Sequence, residues 1–182
     1  MFQFVYSGYC MTYGRCFNAN RLAFRMKNTQ MFLWGEQIGW FAPPDPDAFQ
    51  TPEAEYIRRL CDALMKTDVR KYLFYGEMIR PPVLEGDIPV FSTQWKTNQR
   101  NTDMAAVARS AWKAEDGSVG LVFANMDDKE HIINYDINMN EMNLTEDTGF
   151  YAARVVYGSN SGTTARYNSP EISRTEILPE RS

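Results

Sequence analysis

The residues best suited to chemistry in this chain are aromatic and lie around Trp34. Trp34 and Trp40 bracket a short segment that contains Gln37. An indole face stacks on the apolar CH face of a sugar ring while its N–H donates a hydrogen bond, and an amide such as that of Gln37 binds sugar hydroxyls. Packing in a core is the alternative for both tryptophans, and Phe41 and Ala42 beside Trp40 favour it there. The pattern therefore indicates a carbohydrate-binding platform or a buried aromatic cluster.

Cysteine and histidine are too few for a metal site and for most nucleophilic chemistry. The chain has three cysteines and one histidine, His131. They lack the paired spacing that zinc ligands need. His131 follows the polar residues 127–130, so we interpret it as a surface residue rather than as half of a Cys-His pair. We therefore predict no metal and no cofactor.

Charge and hydropathy exclude two classes of partner. The 19 Lys and Arg residues against 23 Asp and Glu residues give a net charge of −4, which disfavours binding to a phosphate backbone. No apolar run reaches the roughly 18 residues of a membrane span, and the first ten residues lack the basic region and cleavage site of a signal peptide. We predict a soluble chain that binds neither nucleic acid nor membrane. A periplasmic or extracellular location would require a longer precursor.

The beginning of the chain indicates strands alternating with a helix. The aromatic and β-branched run 2–6 favours a strand, and residues 20–27 have helical spacing. The nearly continuous apolar run 30–34 is typical of a strand buried on both faces. Tyr6 and Tyr9 would then follow the first strand and open onto the same face as the end of the second.

Two further helices are predicted before a pair of prolines. Thr51, Pro52 and Glu53 make a good helix start, because Thr can cap, Pro suits the first helical position and Glu favours the positive end of the helix dipole. About four amphipathic turns should follow. A second helix should begin at Asp68 and end near Gly76.

The second half changes to a strand-like period. Short, often alternating runs are separated by turn residues, which is typical of an antiparallel sandwich. The six predicted strands cover residues 90–95, 106–112, 119–125, 132–137, 151–157 and 172–178. Residues 115–118 (EDGS) form the clearest hairpin turn, and the polar turn 126–130 should add a third strand to a meander.

Several of these patterns occur in the order FVYSGY, MFLWGEQIGWF, YLFYGEMIRPP and AVARSAWKAEDGSVGLVFANMDD. This order resembles the carboxyl-terminal part of bacterial glycoside-hydrolase-like proteins, in which a (β/α)₈ barrel is followed by a small β-sandwich. The resemblance covers nearly the whole chain. It implies a mixed α/β plus all-β fold, in which residues 1–88 are the last strands and helices of an incomplete barrel and residues 89–182 are the accessory β-sandwich.

The resemblance also implies a chemistry and a partner. Glycoside cleavage generally uses two carboxyl groups, and barrel enzymes place them at the carboxyl ends of strands. Glu36 alone fits that position, with a structural carboxylate as the alternative, so the catalytic pair would lie upstream of residue 1. A complete barrel needs about 250 residues. Both ends of the chain therefore look cut, and the missing amino-terminal barrel portion is an implied partner.

Two functions follow from these expectations. The first is the carboxyl-terminal portion of a carbohydrate-active, glycoside-hydrolase-like protein that has no activity alone. The second is a non-catalytic carbohydrate-binding or adhesive β-sandwich module. The candidate residues are Glu36 for catalysis and Trp34, Gln37, Trp40, Tyr6 and Tyr9 for substrate binding.

Overall fold

Four helices occur in the part of the chain that the structure describes. This computed structural model describes residues 2–6, 9–13, 21–38, 50–96, 99–142, 144, 150–156, 159–167 and 171–178. The helices are α1 (Phe2–Tyr6), α2 (Arg21–Leu33), α3 (Pro52–Lys66) and α4 (Val69–Leu73). None of these helices combines the length and the apolar character that a membrane crossing requires.

Helix α2 takes the place of both the short helix and the buried strand predicted between residues 20 and 34. The side chains that it buries lie around most of its circumference: Ala23, Phe24, Met26, Asn28, Thr29, Met31, Phe32 and Leu33. A helix enclosed on most sides and a strand buried on both faces both produce a continuous apolar run, so the run alone does not separate them. The strand predicted at residues 30–34 is wrong.

Residues 2–6 form the short helix α1 rather than the predicted strand. The backbone N–H groups of Tyr9 and Cys10 donate to the Tyr6 carbonyl at 2.9 and 3.1 Å, so the chain turns at the end of α1. A five-residue aromatic run is too short to show a clear period, and strand preference depends on the neighbouring strand. Because the predicted neighbour at residues 30–34 is itself helical, that pairing is lost.

Helix α3 begins where the sequence predicts. The Thr51 hydroxyl accepts a hydrogen bond from the Ala54 N–H at 3.3 Å, and proline occupies the first turn. The buried stripe of this helix consists of Tyr56, Leu60 and Leu64. Helix α4 is shorter than predicted and ends at Leu73, three residues before Gly76.

Ten strands form four small antiparallel sheets among the described residues. The strands are β1 (Glu77–Ile79), β2 (Leu84–Glu85), β3 (Val90–Gln94), β4 (Asn101–Ala105), β5 (Val107–Lys113), β6 (Val119–Asn125), β7 (His131–Asn138), β8 (Phe150–Val156), β9 (Ser159–Tyr167) and β10 (Glu171–Leu178). Two sheets have three strands, in the orders β1-β5-β6 and β10-β7-β2, and two are the hairpins β3-β4 and β8-β9.

The β5–β6 hairpin forms as predicted. Its register runs from Val107 opposite Asn125 to Lys113 opposite Val119, and Gly117 in the turn has a φ of 83°. Strand β7, however, does not continue this sheet, because it pairs with β10 and β2 instead. The three-strand meander is therefore wrong, although the strand at β7 is present.

The sheet β1-β5-β6 separates two hydrophobic clusters. Side chains alternate between the faces of a strand, so Trp112 and Val122 pack on one face against α2, α3 and α4. On the other face, Val107 and Phe123 pack against the sheet β10-β7-β2. The Phe123 and Tyr135 rings lie 4.9 Å apart across this second interface. Helices α2, α3 and α4, the sheet β1-β5-β6 and the sheet β10-β7-β2 thus form three successive layers.

This architecture corrects the predicted fold class. The described residues form small antiparallel sheets with a few helices, and no terminal barrel unit is evident among them. Strand β1 comes from the first half of the chain and pairs with β5 from the second. The boundary predicted between residues 88 and 89 stays a prediction, because only separated pieces would show whether each half folds alone.

Candidate functional site

The exposed aromatic side chains of the described residues concentrate at the amino-terminal segment and the end of α2. We define the aromatic surface as Tyr6, Tyr9, Met11, Tyr13, Trp34 and Gln37. The exposed fractions of its aromatic residues are 45% for Tyr6, 88% for Tyr9, 70% for Tyr13 and 36% for Trp34. Large rings usually bury most of their area. Tyr9 and Tyr13 keep most of their area in solvent, and Tyr6 and Trp34 keep more than a third, so this surface is available for a ligand.

A glycine cap fixes the position of Trp34. The backbone N–H of Gly35 donates to the Phe32 carbonyl at 3.1 Å, and that of Glu36 donates to the Met31 carbonyl at 3.0 Å. With the φ of 68° at Gly35, these two bonds are the pattern of a Schellman motif, which ends α2. Trp34 is therefore held at the carboxyl-terminal cap of a largely buried helix.

The helix end also packs tightly against α4. A Cβ added at Gly35 would lie 2.0 Å from the Leu73 carbonyl oxygen and 3.2 Å from the Trp112 ring. The Trp112 indole N–H donates to the Leu33 carbonyl at 3.2 Å, one residue before Trp34. The platform that carries Trp34 is thus anchored in the main core.

The amino-terminal segment is joined to this platform through Gln37. The Gln37 backbone N–H donates to the Thr12 carbonyl at 2.9 Å, and Tyr13 and Gln37 form a parallel β-bridge. The Gln37 side-chain amide lies 3.6 Å from the Met11 sulfur. The structure therefore joins the chain after Tyr9 to the segment after Trp34.

The predicted residues have three different outcomes. Tyr6, Tyr9, Trp34 and Gln37 belong to the aromatic surface, although the elements that carry them differ from those predicted. Glu36 lies just past a helix end instead of at a strand mouth, and its backbone is part of the helix cap. Trp40 lies outside the described residues, so its assignment stays a prediction.

Sequence reasoning missed Met11 and Tyr13. A usable signal was present, because Tyr9, Met11 and Tyr13 recur at every second position. That spacing places side chains on one side of an extended segment.

The structure also has an open groove between α4 and the β5–β6 turn, which the sequence did not predict. Its volume is about 620 Å³. The groove is lined by Thr67, Asp68, Arg70, Lys71, Tyr75, Glu115 and Asp116. It brings residues of two segments at least 40 positions apart into one polar site.

A network of polar contacts holds one wall of the groove. Lys71 Nζ lies 2.5 Å from Asp116 Oδ2, and the Ser118 hydroxyl and N–H donate to Asp116 Oδ1 at 2.6 and 3.1 Å. The hydrogen bond from Lys71, followed by those from Ser118, lowers the pKa of Asp116 to about 2. The Tyr72 hydroxyl lies 3.2 Å from the Ser118 hydroxyl. Lys71 and Asp116 are thus committed to each other.

The single histidine occupies a more enclosed position than predicted. The His131 side chain is 12% exposed, and its Nε2 lies 2.8 Å from Asp127 Oδ2. The interpretation of His131 as a surface residue is therefore wrong. Within the described residues, no group of three or more His, Cys, Asp or Glu side chains is arranged to hold a metal ion.

Neither a family of known proteins, nor a curated protein, nor a solved structure matches this chain. The assignment of a function therefore depends on the geometry of the aromatic surface and the groove.

Proposed function

We propose that this chain binds carbohydrate without cleaving it, and that the aromatic surface is the binding site. The observation that carries the proposal is the junction at Gln37, which fixes a segment with two highly exposed tyrosines against the helix end that bears Trp34. A preorganised aromatic platform loses little conformational entropy when a ligand binds. The surface thus suits a ligand with flat, weakly apolar faces.

Sugars match the polar groups of this surface as well as its rings. The CH face of a pyranose packs on indole or phenol rings, and its hydroxyl groups need donors and acceptors at the rim. The tyrosine hydroxyls and the Gln37 amide provide both kinds of group. A purely apolar partner would leave these polar groups without water or a replacement, which is costly.

Cleavage is less well supported than binding. The hydrolase hypothesis needs Glu36 at the end of a barrel strand, whereas Glu36 follows the Schellman motif of α2. Family membership stays a prediction. Aryl-glycoside hydrolysis by the purified chain, lost in Glu36→Gln, would contradict both the expectation that the chain is inactive alone and the proposal that it binds without cleaving.

Calorimetry with a panel of soluble neutral oligosaccharides tests the binding proposal. We expect measurable binding of at least one oligosaccharide, and about a tenfold loss of affinity in Trp34→Ala and in Tyr9→Ala, because each removes about one stacking contact of roughly 1.4 kcal/mol. Met65→Ala is the matched control, since Met65 is exposed on α3 outside the surface. Absence of binding across the panel, or equal losses in Trp34→Ala and Met65→Ala, would refute the proposal.

A further inference from the structure

The groove between α4 and the β5–β6 turn contains charged side chains that are not committed to other groups. Within the described residues, the side chains of Asp68, Arg70 and Glu115 have no hydrogen-bond or ion-pair partner, and all three line the groove. Lys71 and Asp116 beside them neutralise each other. We propose that this groove binds a hydroxylated carboxylate of monosaccharide size, such as a uronic acid.

Arg70 is the group that would hold the carboxylate. It lies in α4 next to Lys71, whose ammonium group is already paired, so the guanidinium is the unpaired cation among the described residues that line the groove. A guanidinium offers parallel N–H donors that match a carboxylate bidentately. A ligand with one carboxylate therefore suits Arg70 better than a neutral sugar.

Asp68 and Glu115 determine what else the ligand must carry. Both carboxylates can only accept hydrogen bonds when ionised, so they favour a ligand with hydroxyl donors. They also repel a doubly charged anion, which disfavours phosphate and sulfate. A singly charged acid with several hydroxyl groups satisfies both requirements.

Tyr75 and the size of the groove agree with a sugar ring. Tyr75 is 79% exposed at the edge of the groove and offers a face for stacking. The volume of about 620 Å³ lies in the usual range for small-molecule sites, about 300–1,000 Å³. The Lys71–Asp116–Ser118 contacts hold one wall in place before the ligand arrives.

We test this proposal by titrating the whole chain with each of three probes and monitoring its NMR chemical shifts. The probes are D-glucuronate, D-glucose and inorganic phosphate. We expect glucuronate to bind at least fivefold more tightly than either of the others, and Arg70→Gln to remove that preference. Arg58→Gln is the matched control, because Arg58 is an exposed arginine on α3 outside the groove. Tyr75→Ala should weaken glucuronate binding without affecting the fold, since its side chain is largely in solvent.

The outcomes separate this proposal from the function proposed above. Equal affinity for glucuronate and glucose, tighter binding of phosphate, or the same result for Arg70→Gln and Arg58→Gln would overturn it. Trp34→Ala should leave glucuronate binding unchanged, so either proposal can fail while the other stands. A disaccharide with a terminal glucuronate distinguishes the two sources of such a ligand. If the disaccharide binds as well as the free acid, the ligand is the end of a glycan. If only the free acid binds, the ligand is a small metabolite. Failure of both to bind refutes the site.

Discussion

Replacement of Gly35 by alanine tests how the aromatic surface is held. Gly35 has a φ of 68°, and a Cβ at this position would lie 2.0 Å from the Leu73 carbonyl oxygen. A non-glycine residue in the left-handed region costs about 1–2 kcal/mol, and forcing an atom into packed space costs about 1–3 kcal/mol. The reduced entropy of the unfolded chain offsets about 0.4–1 kcal/mol. These terms together span about 1–4.5 kcal/mol, so we expect Gly35→Ala to destabilise the fold by about 3 kcal/mol.

Gly117→Ala is the matched control for this change. Gly117 also has a positive φ, of 83°, but no atom lies within 4 Å of the added Cβ. Its replacement adds backbone strain without the steric clash, so the net cost should be about 1 kcal/mol. The difference between the two variants therefore isolates the contact between the end of α2 and Leu73.

Urea unfolding followed by tryptophan fluorescence measures both costs. With a denaturant slope of about 2 kcal/mol/M, Gly35→Ala should lower the midpoint by about 1–2 M and Gly117→Ala by about 0.5 M. Equal midpoints for the two variants would refute the close packing at Gly35.

Two further changes probe the core and the groove. Trp112→Phe should destabilise the fold by about 2–3 kcal/mol in the same urea assay, because the buried indole N–H donates to a carbonyl of α2 and to a hydroxyl of β5. Trp95→Phe is the control. The Trp95 indole N–H has no partner among the described residues, so this change should cost clearly less. Asp116 has a pKa of about 2 in the fold against about 3.9 in the unfolded chain, so the stability that its contacts contribute is present above about pH 4 and is lost as the pH falls towards 2. Asp116→Asn should therefore reduce the acid-induced loss of stability between these pH values, and an unchanged pH profile would contradict the Lys71–Asp116 pairing.

The fold was predictable where local signals are specific. The cap at Thr51, the stripe of α3 and the turn at Gly117 each combine a residue type with a geometry that few alternatives share. The run at residues 30–34 has no such signal, because a helix buried on all sides and a strand buried on both faces both produce a continuous apolar run. The barrel prediction depended on this run, because the predicted strand at residues 2–6 required a neighbouring strand at residues 30–34. Since residues 30–33 are helical, the barrel prediction is wrong as well.

The candidate site was predictable to the extent that its residues are close in sequence. Trp34 and Gln37 lie three positions apart, so they stay together whether a strand or a helix precedes them. The groove could not be predicted from the sequence, because Arg70 and Glu115 come from distant segments that only the packing of α4 on the β5–β6 hairpin brings together. In the sequence, Arg70 belongs to a predicted helix and Glu115 to a predicted hairpin turn, and neither pattern indicates a shared groove.

The difference between the predicted and the observed fold changes the role that Glu36 can have. In a barrel, Glu36 would face strands that provide a second carboxyl group, and the pair would carry out cleavage. In the observed fold, Glu36 belongs to a helix cap, whereas Trp34 stays 36% exposed and the segment with the exposed Tyr9 and Tyr13 joins the chain at Gln37. Ring stacking needs only exposure, rigidity and polar groups at the rim, and these do not depend on a barrel. The correction of the fold therefore weakens the catalytic hypothesis and leaves the binding hypothesis with its physical basis intact.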